Sequence, residues 1–345
     1  MRRKIALILA VLWLLVTSAC GQTPCQGEAA VFWYSYEDTY LTQVRQIMGQ
    51  QWGNMTFRDH DAGNDQTAQI RQIQEAIAGG ACALVVNLVD TGSDEAALKI
   101  LALAKEADLP LVFFNRSVSE EIVTSYRKAV FVGTDYIQAG QMQGDMIGQF
   151  VLSSYDLLDA NADGVISYVL FHGQEGNPEA EARTHYAVSG ANAILNAAEK
   201  PSMVFYDPDN TGCYLADPAG TWSAQHSKTQ MTRILAEDLD VELIIANNDD
   251  MALGAIEALQ EAGLNMEGSR YIPVFGVDAT DAAREKIADG SMTGTIHQDA
   301  GSMAETIVAI TNNLCAGDNA FHHIDSANIT EDWMVNIPYR TYTGQ

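Results

Sequence analysis

Positive charge is scarce in this 345-residue chain: 19 Lys and Arg stand against 45 Asp and Glu, a formal net charge of −26. A surface of that sign repels nucleic acid and anionic lipid, which excludes a DNA- or RNA-binding role. Cysteine is scarce, at five residues. Beyond the first twenty residues no apolar run reaches the roughly 18 residues of a spanning helix, so the body of the chain is expected to be soluble. Motifs for phosphate binding and catalysis are missing too. "GTDYIQAGQMQG" lacks the strand–GxGxxG–helix arrangement, and neither GxxxxGK[ST], nor HExxH, nor a convincing nucleophile elbow occurs. The seven histidines are scattered, and the His322–His323 pair reads as solvated rather than metal-bound.

What is present begins with "MRRKIALILAVLWLLVTSA", a positive start followed by an apolar run. That is a secretory signal over residues 1–19, outside the fold, and removing it takes the net charge three units further negative. "VTSAC" then sets small residues before Cys20 and resembles a bacterial lipobox, with Thr17 where Leu is usual. Lipidation of Cys20 would tether the mature chain outside the cytoplasmic membrane, with residues 20–28 as a linker. A plain secreted protein and an uncleaved anchor are the alternatives. The other cysteines, Cys25, Cys82, Cys213 and Cys315, form an even exported set that permits disulfides. Cys25 precedes the first strand and Cys82 begins a later one, so these two are expected at one sheet end, leaving Cys213 with Cys315.

The length allows two domains. From residue 29, short β-rich runs such as "AAVFWYSY", "ALVVNLVD" and "PLVFFN" alternate with amphipathic helical stretches. After "KAVFVGTD" a second series follows, with helices expected over 136–153, 178–198, 224–237 and 251–263. This pattern means βαβ units, an α/β fold of two doubly wound parallel-sheet lobes. Ligands of such sheets sit beyond the carboxyl ends of the strands, so the cleft between two facing lobes is the expected site.

Those strand ends are polar. Asp38 and Tyr40 follow the first, Asn115 ends "PLVFFN", and Asn177 to Arg183 follow "ISYVLFHG"; Asn247, Asn248 and Asp249 end "VELIIANND", and Asp278 ends "IPVFGVD". Amides, carboxylates and an Arg can each bond neighbouring hydroxyls, while Tyr40 and Trp222 offer flat faces to a pyranose ring. Each residue also has a plainer reading. Asn248 and Asp278 suit helix caps, and Trp222 suits a core position.

The chain is similar to the galactose/glucose-binding proteins of ABC sugar importers from about residue 29 to 343. The motifs that carry the resemblance are "YSYEDTY", "NDQTAQIRQI", "VVNLVD", "VFFN", "VGTD", "GNPEAEART", "IIANNDDMALGA" and "IPVFGVDA". It implies a type I periplasmic binding protein with a three-crossing hinge near 132–134, 298–300 and 335–338. The N-terminal lobe would comprise 29–132 plus 300–335, and the C-terminal lobe 133–299 plus 336–345. By the same resemblance Asp38, Asn115, Arg183, Asn248 and Asp278 bind sugar hydroxyls, and Tyr40, usually Phe, and Trp222 sandwich the ring. Asn177, Glu179 and Gln298 stand where the family commonly has His, Asp and Asn. Hexose binding stays plausible with these changes, but the preferred epimer, or a pentose in its place, is left open.

"DANADGVIS", residues 159–167, starts like an EF-hand loop, yet its twelfth position is Leu170 rather than Glu. The resemblance implies a structural calcium site of Asp159, Asn161, Asp163, the Val165 carbonyl and Ser167, completed by Glu242. Ser167 stands where Gln is usual, and a metal-free Asx turn is the alternative.

The implied action is capture without chemistry, with the sugar shifting the lobes to a closed form that docks on a membrane permease. The chain is expected to act as a monomer. A glycosidase using Asp38 and Glu179 finds no motif, a sugar-responsive repressor would begin with a helix-turn-helix, and a sensory role with a receptor partner stays open beside transport.

Overall fold

The computed structural model describes residues 27–344 apart from residue 238. The signal segment, Cys20 and Cys25 lie outside the described residues.

The first lobe is built on a seven-stranded sheet. Its strands are β1 (Glu28–Trp33), β2 (Thr56–Asp61), β3 (Ala83–Val86), β4 (Leu111–Phe114) and β5 (Ala129–Gly133), with β12 (Ile329–Glu331) and β13 (Met334–Asn336) returning late in the chain. They lie in the order β12-β13-β5-β4-β3-β1-β2, parallel except for β12. The central strands β3, β4 and β5 are buried along their whole length, as continuous apolar runs under helices on both faces must be. Helices α1 (Thr39–Met48) and α10 (Ala300–Ala316) supply residues to the core on one face, and α2 (Gln66–Ala78), α3 (Glu95–Glu106) and the short α4 (Glu120–Thr124) to the core on the other. Each fully buried aliphatic or Phe side chain there contributes about 1.5–3 kcal/mol.

The second lobe repeats the plan. Strands β6 (Ser167–His172), β7 (Val204–Phe205), β8 (Leu215–Ala216), β9 (Leu243–Ala246), β10 (Val274–Asp278), β11 (Gly294–His297) and β14 (Arg340–Tyr342) form a sheet in the order β14-β11-β10-β9-β6-β7, with β8 also paired to β6. Its helices are α5 (Tyr136–Leu158), α6 (Pro178–Ala197), α7 (Ala224–Ala236), α8 (Asp249–Glu261) and α9 (Asp281–Ala288). Helix α5 runs one turn past its expected end because Tyr155 and Leu158 are core residues. Gly140, Gly144 and Gly148 line its contact with α6. A Cβ on Gly144 would meet the Tyr186 carbonyl at 2.5 Å, so the two backbones approach closely only because none is there.

The chain crosses between lobes after β5, before α10 and between β13 and β14. Thr134 and Tyr339, on two of these crossings, share a hydrogen bond of 2.9 Å. The sequence left Cys213 to pair with Cys315, and the structure corrects this. Cys315 is buried beside Cys82 in the first lobe, with its sulfur 4.0 Å from the Cys82 carbonyl, whereas Cys213 is exposed among residues of the second. No described helix is long and apolar enough to cross a membrane.

Candidate functional site

The carboxyl ends of β1, β4, β6, β9 and β10 converge between the lobes. There they line a small cavity. Its walls are Asp38, Tyr40, Asn115, Arg116, Asn177, Glu179, Arg183, Trp222, Asn248, Asp278 and Gln298. The structure thus brings together all ten residues expected from the sequence and adds Arg116.

Several of these side chains serve the fold and the cavity together. Asp38 caps α1 by accepting from the Leu41 N–H at 2.8 Å, and its other oxygen accepts from Tyr34 Oη. Asn177 caps α6 and Asn248 caps α8 through one carbonyl oxygen each, leaving the amide nitrogens for other partners. Asp278 is not a cap, because Thr280 holds that place at α9. Three wall residues sit at positive φ: Asn115 at 63°, Trp222 at 58° and Asp278 at 123°. Backbone strain of this kind is costly and collects where side chains must be aimed. Trp222 lies flat against Gly173, where an added Cβ would fall 2.3 Å from the indole. It belongs to the lobe's core and to the cavity wall at once.

Arg183 organises the floor. Its guanidinium donates to the Asn247 carbonyl at 2.8 Å, to Tyr339 Oη at 3.2 Å and to Gln298 Oε1 at 3.4 Å. Burial works against its charge, but Tyr339, Asp278 and Glu179 outweigh it and hold the group firmly cationic. Burial pushes the Asp278 carboxyl well above its ordinary value; Arg183 opposes that, and Asp249, Asp38 and Asp250 add to it.

The lobes are closed over the cavity. Glu179 Oε1 accepts from the Ser117 N–H at 2.8 Å and from its hydroxyl at 2.6 Å, and Arg116 donates to Gln174 Oε1 at 3.1 Å. Asn177 reaches Thr91 Oγ1 at 3.0 Å, and Thr39 donates to Asp250 Oδ1 at 2.8 Å. Yet among the described residues five buried polar atoms of the wall have no partner: Tyr40 Oη, Glu179 Oε2, Arg183 Nε, Trp222 Nε1 and Gln298 Nε2. Such orphans cost about 1–3 kcal/mol each unless something polar meets them. A small ligand bearing hydroxyls does so.

Arg116 and Tyr339 escaped the sequence reading. Arg116 directly follows Asn115, and its guanidinium stacks 3.5 Å from the centre of the Tyr34 ring while donating to the Val89 carbonyl at 2.7 Å. A basic residue next to a strand-end Asn was the available signal. For Tyr339 there was none, since it reaches the site from the last hinge crossing.

The loop 159–167 lies away from this cavity. Glu242 joins its two ends, accepting from the Ala160 N–H at 2.6 Å and the Ser167 N–H at 3.0 Å. Asp159 accepts from the Asp163 and Gly164 N–H groups, and Ser167 Oγ donates to the Asp240 carbonyl at 2.8 Å. Asp240 also accepts from the Asn161 amide. Burial raises the Glu242 carboxyl against its two N–H bonds, and the Asp240 charge adds to the rise. An all-oxygen donor set crowded with carboxylates fits a hard divalent cation such as calcium.

The family model described as "Periplasmic binding protein domain" matches residues 29–319. The D-galactose/methyl-galactoside binding periplasmic protein MglB of Haemophilus influenzae is 32% identical over 327 residues, covering 93% of this chain and 91% of that protein. The D-ribose/D-allose-binding protein of Pseudomonas aeruginosa is 24% identical over 276 residues, covering 79% and 76%. An ABC transporter solute binding protein from Bacillus halodurans, solved with bound myo-inositol, shares the fold with a TM-score of 0.71 at 24% identity, over 94% of this chain and 96% of that one. The chain belongs to the periplasmic binding protein family, among the sugar-binding members that serve ABC importers without being enzymes.

Proposed function

We propose that the cavity captures a single pyranose of the galactose or glucose type and that the closed, loaded chain presents it to the importer's permease. The five partnerless polar atoms of the wall carry this reading, because ring hydroxyls placed between them meet donors and acceptors alike. The relative that covers nearly the whole chain at 32% identity is named for D-galactose and methyl-galactoside, which supports the same ligand. Tyr40 and Trp222 supply the apolar faces for the ring, and Asp38, Asn115, Arg183, Asn248 and Asp278 its polar contacts. Arg116 adds a cationic donor.

In this reading the acyl chains on Cys20 keep the protein near the membrane, and Asp159, Asn161, Asp163, Val165, Ser167 and Glu242 hold a structural calcium ion. Delivery to a receptor, as a sensor, would use the same closed form.

Isothermal titration calorimetry over galactose, glucose, ribose, allose and myo-inositol tests the proposal. Galactose or glucose is expected to bind at least tenfold more tightly than the pentose and the cyclitol. Failure of both hexoses to bind overturns it.

A further inference from the structure

A second group of side chains lies on the β6–α6 turn, outside the sugar cavity. His172 ends β6 and is fully buried, and among the described residues its Nε2 has no hydrogen-bond partner. Among the described residues, the ligand atoms of His172, Glu175 and Glu181 come within 4.8 Å of one another. We propose that His172 Nε2, Glu175 and Glu181 form a binding site for one first-row divalent transition ion, with zinc as the natural probe.

The imidazole is held as a metal ligand needs to be held. Its Nδ1 lies 2.8 Å from Thr184 Oγ1, which is itself bonded to the Asn247 side chain. The Asn247 side-chain oxygen Oδ1 also accepts from the Gly173 N–H at 3.2 Å. The ring stacks on Tyr214, with centroids 4.5 Å apart. In the tautomer whose Nδ1 donates to Thr184, Nε2 presents a lone pair to an ion. An outer hydrogen bond of this kind fixes ring and tautomer for ligation.

That lone pair faces negative charge. Nε2 stands 3.7 Å from Glu181 Oε1, too far for a hydrogen bond. Two metal–ligand bonds of about 2.1 Å can span up to about 4.2 Å, so a shared ion fits the gap. Both carboxylates are already steered: Gly176 N–H donates to Glu181 Oε1 at 3.1 Å, and Tyr214 Oη donates to Glu175 at 3.2 Å. Both are exposed, so they can close the remaining distance.

One imidazole and two carboxylates select for zinc or a similar ion, whereas calcium takes oxygen ligands in larger number. The site is therefore chemically distinct from the loop at 159–167. Tyr214 comes from the polar segment 207–222, which the sugar reading otherwise assigns only Trp222. An ion here braces the turn whose Gln174 and Asn177 reach Arg116 and Thr91 of the other lobe.

The test uses the metal-stripped, sugar-free chain in saturating calcium, with Cys213→Ser throughout to remove the exposed thiol. Zinc is titrated calorimetrically into this chain and into the same chain carrying Glu175→Gln and Glu181→Gln. The parent is expected to bind one more equivalent of zinc than the double variant, and to gain a zinc-dependent rise in Tm that the variant lacks. Equal stoichiometry and affinity in the two chains, or no zinc bound by the parent, overturns the proposal.

Discussion

Tyr339 Oη accepts a hydrogen bond from Arg183 Nη2 at 3.2 Å, so a residue of the last hinge crossing holds the cation on the floor of the cavity. The same hydroxyl is 2.9 Å from Thr134 on the first crossing. Two hinge crossings and one side chain of the cavity wall therefore share a single phenol, and the hinge cannot twist there without disturbing Arg183.

Tyr339→Phe should lower sugar affinity by about 1.5–3 kcal/mol, the worth of a hydrogen bond to a charged group, or about tenfold to 150-fold. Arg183→Ala should cost about 2–5 kcal/mol, because it leaves buried partners unpaired. Calorimetry reads both, with circular dichroism to show that the fold is intact. Unchanged affinity in Tyr339→Phe would mean that Arg183 needs no support from the hinge.

Glu179 ties the lobes through Ser117 with one oxygen and turns the other into the cavity. Glu179→Gln keeps an acceptor for Ser117 but removes the charge that strengthens the bonds. The closed form should weaken by about 1 kcal/mol, roughly fivefold. Small-angle scattering should show a larger radius of gyration at subsaturating sugar than the parent chain shows.

Burial, with the nearby Asp38 charge, raises the Asp250 carboxyl to about 6 at the closed interface, where it accepts from Thr39. A carboxyl with a raised pKa binds its proton more tightly in the closed form. Closure is thus opposed above about pH 6 and eased as pH falls through that value. Asp250→Asn keeps an acceptor for Thr39 and cannot titrate. The affinity of the parent relative to this variant should rise between pH 8 and pH 5. A constant ratio would show that Asp250 does not sense closure.

Removal of calcium with EDTA should lower Tm, and added calcium should restore it. Glu242→Gln should abolish the calcium response while leaving sugar stoichiometry at one, since the loop lies away from the cavity. The neutral side chain also weakens the bond to Ser167 N–H, so its metal-free Tm should fall as well. A Tm indifferent to both EDTA and calcium removes the metal from this loop.

Gly173→Ala should displace Trp222, because the new Cβ would sit 2.3 Å from the indole. Overpacking of this sort costs about 1–3 kcal/mol. Sugar affinity should drop, and the tryptophan fluorescence change on binding should shrink with it. An unaltered fluorescence change would mean that Trp222 does not contact the ligand.

Much of the fold was legible because its signals are local. Runs such as "ALVVNLVD" and "PLVFFN" can be buried on both faces only as central parallel strands, and they are β3 and β4. The polar residues that end such runs face the cavity because the topology stacks all the parallel strand ends at one edge. Less legible was the division of labour within a residue. Asn248 was open to reading as a cap or as a ligand, and its two amide atoms allow both. Asp278 read equally well as a cap, but Thr280 takes that place two residues later.

The sequence by itself determined the α/β layout, the acidic surface, and the residue types at each strand end, since these depend on composition and short-range periodicity. Only the tertiary structure decided what meets what across long separations. It brought Tyr339 to Arg183, and Cys315 to Cys82 rather than Cys213. Those meetings follow from sheet order and hinge crossings, where contact energy is gained between segments tens to hundreds of residues apart. No local pattern records such a partner, because the pairing is set by how the whole chain packs.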